Sequence, residues 1–179
     1  MSSIYRFLVV LAISAVSFLL LYGVQAVNAQ TAVLSEKQVE LIRKNCQSAK
    51  STLSQLHASD ALLRVNRGQV YESLSTRLIE PFNSRLGNNG LDNKATNTVA
   101  MNYRTALDAF RSNYRLYEQE LSAALKIDCH QSPVAFHESV ERARERRKQV
   151  NNSVIRLHRV IDDYRLAVDD FMLNYKGGR

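Results

Sequence analysis

From Phe136 to Tyr175 one row of residues repeats at alternating steps of four and three. It reads Phe136, Val140, Ala143, Arg147, Val150, Val154, Leu157, Ile161, Tyr164, Val168, Phe171, Tyr175. Eleven of the twelve are apolar or aromatic, and only Arg147 interrupts the row. A strand presents alternate residues to one face, so this period cannot line up on a sheet. On an α-helix it forms one continuous seam. Ser132-Pro133 supplies a cap and a first-turn proline. The spacing predicts a helix over 133–175.

The rest of the chain follows the same rule. Tyr103, Leu107, Phe110, Tyr114, Tyr117, Leu121 and Ala124 form a second seam. Asp92, just after the Gly87-Asn88-Asn89-Gly90 turn, can cap a helix over 93–128. Upstream, Ser35 and Gln38 have capping-box spacing. Ile42, Cys46, Ala49, Leu53, Leu56, Leu63, Val70 and Leu74 then share a seam that also contains Asp60 and Arg67. Gly68 costs a helix interior about 1 kcal/mol, so a break is expected near Ser59 or Gly68. Pro81 should end or kink this helix, with Phe82 to Leu86 as a short turn packed beneath the bundle. The expected fold is all-α: an elongated, up-down-up antiparallel bundle of three long helices, or four if the first breaks. At 1.5 Å per residue its length is about 50–65 Å.

The first 29 residues are of another kind. Arg6 is their only charged side chain, and Phe7 to Leu21 is apolar except for Ser14 and Ser17. Val27-Asn28-Ala29 then places small residues before a cut. A positive start, an apolar middle and a small-residue end predict a secretory signal peptide over 1–29. Cleavage after Ala29 fits best, and Ala26 offers a second site. The alternative is an uncleaved, single-pass N-terminal anchor, since about 20 apolar residues can span a bilayer. Either way, residues 30–179 form a single translocated domain, secreted or held in the extracytoplasmic envelope. The formal charge of +7 becomes +6 once the segment carrying Arg6 is removed. Such a domain would meet envelope polymers, lipid headgroups or extracellular nucleic acid. Genomic DNA lies in the wrong compartment.

Two cysteines occur, Cys46 and Cys129. An even count outside the cytoplasm suggests a disulfide. Cys46 lies 35 residues before Pro81, and Cys129 lies 37 residues after Asp92. In a helical hairpin turning between those points the two reach the same level. The bridge would staple the open end of the hairpin. No C-x-x-C accompanies it, so a redox-active pair is not indicated.

Catalytic signatures are missing from the sequence. There is no Glu-x-x-His pair of the di-iron type, no H-E-x-x-H, no G-x-S-x-G, no P-loop and no dinucleotide-binding glycine pattern. His137 with Glu141 and His158 with Asp162 are i,i+4 pairs that read as surface polar contacts. No catalytic residue, metal ligand or cofactor is assigned, and an enzyme is not expected.

The densest charge is Arg142, Arg144, Arg146, Arg147 and Lys148. Nearby Glu138, Glu141 and Glu145 pair with it at helical spacing, as on a solvated face. The sharper reading makes Arg142, Arg144, Arg146 and Lys148 a patch for an anionic surface. Arg147 sits in the seam and needs a partner. Fourteen residues separate Pro133 from Arg147, and fourteen separate Cys46 from Asp60. Asp60 and Arg147 are therefore expected to face each other as a buried polar pair, joined by Asn113. Arg67 with Asp108 is a weaker pairing of the same kind. The tyrosines at 103, 114, 117, 164 and 175 read as core or core edge.

With Cys46, Asn66-Arg67-Gly68-Gln69, Pro81-Phe82-Asn83 and Cys129 in view, the chain resembles uncharacterised, signal-bearing, all-helical exported proteins of bacteria. The resemblance covers most of residues 30–179 and implies no activity, cofactor or catalytic residue. The unusually polar Asn66-Arg67-Gly68-Gln69 segment marks a partner surface or a helix break. The expected role is a non-enzymatic binding, spacer or scaffold element acting on an unknown protein or an anionic envelope polymer. A membrane-tethered coiled coil that forms homo-oligomers is the first alternative, and an envelope enzyme with a His/carboxylate site the second.

Overall fold

The structure is a computed structural model that describes residues 34–177. The signal or anchor expected over 1–29 lies outside the described residues. Those described are all-α and form three arms that run up, down and up. The first arm comprises α1 (Glu36–Lys44), α2 (Cys46–Ser73), a π-helical stretch (Leu74–Ile79) and α3 (Glu80–Asn88). The second is α4 (Lys94–Lys126) and the third α5 (Pro133–Gly177).

The capping box forms at the start of α1. Ser35 N donates to Gln38 Oε1 at 2.8 Å, and Gln38 N donates to Ser35 Oγ at 3.4 Å. The first arm does not break at Ser59 or Gly68. The helix is continuous through Gly68, and a Cβ there would meet nothing within 4 Å, so the glycine admits no close neighbour. The interruption falls instead at Asn45, whose Nδ2 donates to the Leu41 carbonyl at 2.9 Å. Such local side-chain bonds compete with the helical ladder.

Pro81 does not end the arm. It has no N–H to offer the carbonyl four residues back, and its ring crowds that turn. The helix widens just before it, so that Glu80 N donates to Ser75 O, five residues back. Helix then continues to Asn88, and Phe82 to Leu86 belong to α3 rather than to a turn. Phe82 meets Phe171 of α5 edge-on, ring centroids 6.0 Å apart. Gly90 closes the arm with φ of +64°, and Leu91 N returns to Leu86 O at 3.0 Å. Only glycine adopts that conformation freely.

α4 and α5 are the tight pair. Ala100, Ala106 and Ala124 of α4 and Ser139, Ala143 and Ser153 of α5 are all buried. Small side chains let two helix axes approach. The first arm packs less closely. Only Cys46, Asp60 and Tyr71 of α2 are buried, whereas the expected seam residues Leu63 and Val70 are exposed. Asp60, His57 and Tyr71 tie this arm to the others by polar bonds. His57 pairs with Glu118, and the backbone carbonyl of Tyr71 accepts the buried Tyr103 hydroxyl at 2.8 Å.

Cys46 and Cys129 are joined in a disulfide, Cα to Cα 5.5 Å, at the end of the bundle opposite the α3–α4 turn. Both are buried against Phe136. Cys129 lies just past α4, in the turn whose Asp128 carboxylate accepts from the His130 and Gln131 backbone amides at 2.9 and 3.3 Å.

The buried phenols make the fold sensitive to base. Burial raises the Tyr103 and Tyr117 phenols well above the ordinary value near 10, and raises Tyr114 to about 12. Each stays neutral in the folded chain where the unfolded chain would ionise. Their contribution is therefore whole below pH ~10 and is lost as pH rises through the folded values. Differential scanning calorimetry should show the melting temperature falling steeply between pH ~10 and ~12. A flat profile there would contradict the buried, protonated tyrosines.

Candidate ligand-binding groove

α2 and α5 run parallel and are joined by two side-chain ties with the same sequence offset. Arg147 bonds Asp60, and His158 bonds the Tyr71 hydroxyl at 2.9 Å; both pairs are 87 residues apart. The ties are eleven residues apart along each helix, about 16 Å at 1.5 Å per residue. Elsewhere the two helices stand off. No Cα of α2 lies within 8 Å of one in α5. The small residues of α5 draw it onto α4, while α2 offers Leu63, Arg64 and Arg67 toward the gap, and long side chains hold backbones apart.

The gap is a groove of about 600 Å³. Its floor is Phe110, Tyr114 and Tyr117 of α4. One wall carries Leu63, Arg64 and Arg67; the other carries Val150, Asn151 and Val154, with Arg144, Arg147 and Lys148 toward the disulfide end. Five cations thus surround a single carboxylate, Asp60.

That carboxylate is committed. Arg147 Nε and Nη2 donate to its two oxygens at 2.8 and 3.0 Å, and the Tyr117 hydroxyl donates to Oδ2 at 2.7 Å. Burial pushes the Asp60 pKa up, but the bonds from Arg147 and Tyr117 and the Arg147 charge outweigh it and hold it below the usual value. Bonding to Asp60 raises the Arg147 pKa, so the pair is ionic. The other cations are freer. Arg64 lies over the Tyr114 ring, 5.0 Å from its centroid. Among the described residues, Arg144 and Lys148 pair only with Glu141 and Glu145 on their own helix, at 2.6 and 3.3 Å. Arg67 has no hydrogen-bond or ion-pair partner among the described residues.

The groove redistributes the residues singled out in the sequence. Asp60 and Arg147 meet, but the pair is buried on one side only: the Arg147 side chain is 51 % exposed. Asn113 is not its third member. It donates to Ser153 Oγ at 2.7 Å, and Tyr117 takes its place. Arg67 does not meet Asp108, which pairs with Arg111 at 2.5 Å. The patch of Arg142, Arg144, Arg146 and Lys148 divides between two faces. Arg144, Arg147 and Lys148 share the groove side at i, i+3 and i+4. Arg142 reaches Glu120 on α4 at 3.2 Å, and Arg146 reaches Gln149 at 3.0 Å. Arg64 was the residue missed. Its signal was its place four residues after Asp60 and three before Arg67, on one helical face.

The histidine pairs do not build a centre. His158 turns to Tyr71, and Glu141 to Arg144. Among the described residues no three His, Cys, Asp or Glu side chains gather as metal ligands would. The groove lining contains no His, Cys or Ser. Its chemistry is charge and apolar contact. A second hollow, on the far side of α2, sets Arg64, Arg111 and Arg115 against Glu72, Asp108 and Glu118, and is close to neutral. Among the described residues no helix is long and apolar enough to cross a membrane.

Compared with known protein families, with curated proteins and with solved structures, the chain matches none.

Proposed function

We propose that this protein is an exported, non-enzymatic binding module that holds an anionic ligand in the groove between α2 and α5. The carrying observation is the imbalance of five cations around one already paired carboxylate, over an aromatic floor. Size agrees: small-molecule sites occupy ~300–1,000 Å³ and combine apolar walls with a few placed polar groups. The disulfide is in keeping with an oxidising compartment outside the cytoplasm, reached through the N-terminal segment 1–29. The ligand would then be a component of the cell envelope or its surroundings.

A second reading rests on a different observation. Leu62, Val65, Val70 and Leu78 of the first arm are exposed. A membrane-tethered form could use this face to assemble into homo-oligomers.

One experiment separates the two. The protein is recovered from the exported fractions of its native host, with thiols blocked, and weighed by native and denaturing mass spectrometry. The binding reading expects chains beginning at Gln30, carrying an extra mass that is absent from an Arg67→Glu/Arg144→Glu chain. Bare oligomers retaining Met1 would support the tethered assembly instead. Bare monomers with an intact groove would count against both.

A further inference from the structure

Resting on that reading of the groove, we infer that its ligand is a free amphiphilic anion: a compact apolar body ending in one phosphate or carboxylate. Three observations converge on this class. First, the floor and inner walls are apolar where the ligand would lie. Leu63 is exposed to the groove, Val150 and Val154 are only partly buried, and Phe110 and Tyr114 close the bottom. A purely hydrophilic ion would leave that surface wet. Second, cations rim the slot from both sides, Arg64 and Arg67 on α2 and Lys148 on α5, with Arg144 about one turn beyond the Asp60–Arg147 tie. Arg67 has no counter-charge among the described residues, so an anion there displaces no existing pair. Guanidinium groups suit the planar, forked geometry of carboxylate and phosphate. Third, the slot is finite. The Asp60–Arg147 and Tyr71–His158 ties cross from α2 to α5 about 16 Å apart along the helices. A running anionic polymer needs open ends, and a bilayer offers no isolated tail to a recess between helices.

The apolar body therefore rests on Leu63, Tyr114 and Val154, and the head lies against Arg64 and Arg67. Asp60–Arg147 holds the walls at a set width. It touches the ligand less than it shapes the site.

The test titrates the mature, disulfide-bonded protein by calorimetry with decyl phosphate below its micelle concentration. Decanol, inorganic phosphate and vesicles rich in anionic phospholipid are run beside it. Expected is one decyl phosphate per chain, with decanol and inorganic phosphate each bound at least about tenfold more weakly and no uptake on vesicles. Arg67→Gln and Leu63→Asn should each weaken decyl phosphate about tenfold or more without moving the thermal midpoint, because Arg67 is unpaired and Leu63 exposed. Inorganic phosphate binding as well as decyl phosphate would overturn the amphiphile while leaving the anionic groove standing. Decanol binding equally well would overturn both. Binding seen only on vesicles, undiminished binding by Arg67→Gln, or no saturable binding of any probe would also overturn the inference. In that last case the mass-spectrometric test decides the broader reading separately.

Discussion

Replacing both Cys46 and Cys129 by serine is expected to cost about 2–5 kcal/mol of unfolding free energy. The bond closes a sequence separation of 83 residues, and the chain-entropy model gives about 4–5 kcal/mol for a loop of that size. Its position adds to the effect. The cysteines sit in the smallest of the core clusters, with Phe136 as the only other buried member. α1 is set off from α2 by the interruption at Asn45, and few other contacts hold it to α5. Without the bond, the open end of the bundle would fray first, and the wall of the groove formed by α2 would lose its anchor. Urea denaturation of the oxidised protein and the double-serine protein measures the difference directly. Hydrogen exchange should show protection lost over α1 and the start of α2 before it is lost in α4. Coincident urea midpoints would mean that packing around Phe136 alone holds the end closed.

The Asp60–Arg147 tie should give the second large effect, and an unequal one. Arg147→Leu leaves a buried carboxylate with a single hydroxyl partner; the expected cost is about 2–3 kcal/mol. The half-exposed guanidinium limits the loss, because water already screens it in the intact protein. Asp60→Leu instead orphans the buried Tyr117 hydroxyl and frees Arg147 into solvent, at about 1–3 kcal/mol. The double replacement should cost less than the two single ones combined. Acid supplies a further check. The folded pKa of Asp60 lies below its ordinary value. The tie's contribution is thus present above pH ~4 and is lost as pH falls through the folded pKa. In Arg147→Leu the carboxyl takes up its proton at higher pH, so the penalty of that variant should shrink on acidification. Melting temperatures of the four proteins measured from pH 7 to pH 3 settle both points. Additive effects with no pH dependence would mean that the two residues do not act together.

How far the sequence reaches can be judged from these same residues. The alternation of four and three over Phe136 to Tyr175 leaves no fold but a long helix for that segment, and α5 spans Pro133–Gly177. The Ser35–Gln38 box, the Gly90 turn and the shared level of Cys46 and Cys129 were legible for the same reason. Each depends on local backbone chemistry or on a rise of ~1.5 Å per residue, which turns residue number into height. Height also placed Asp60 opposite Arg147. Height says nothing of distance between axes. Asn113 and Tyr117 stand about one turn apart on α4; the expectation placed Asn113 beside Asp60 and Tyr117 in the core, and only packing put the tyrosine there instead. Pro81 announced a disturbance, but whether the helix ended or widened depended on whether its continuation could bury Leu86 and cover Phe171. The basic cluster was visible as charge. Its division into a groove side and an outer side waited on which face of α5 the alanines and serines drew toward α4. The groove itself is the clearest case. Local pattern and residue count were enough for three helical arms, their order, their stapled end and the charges they carry. The tertiary structure alone decided that α4 and α5 close on small side chains while α2 stands off on long ones, because separation between helices is set by pairs of facing residues and no single segment contains both members of a pair.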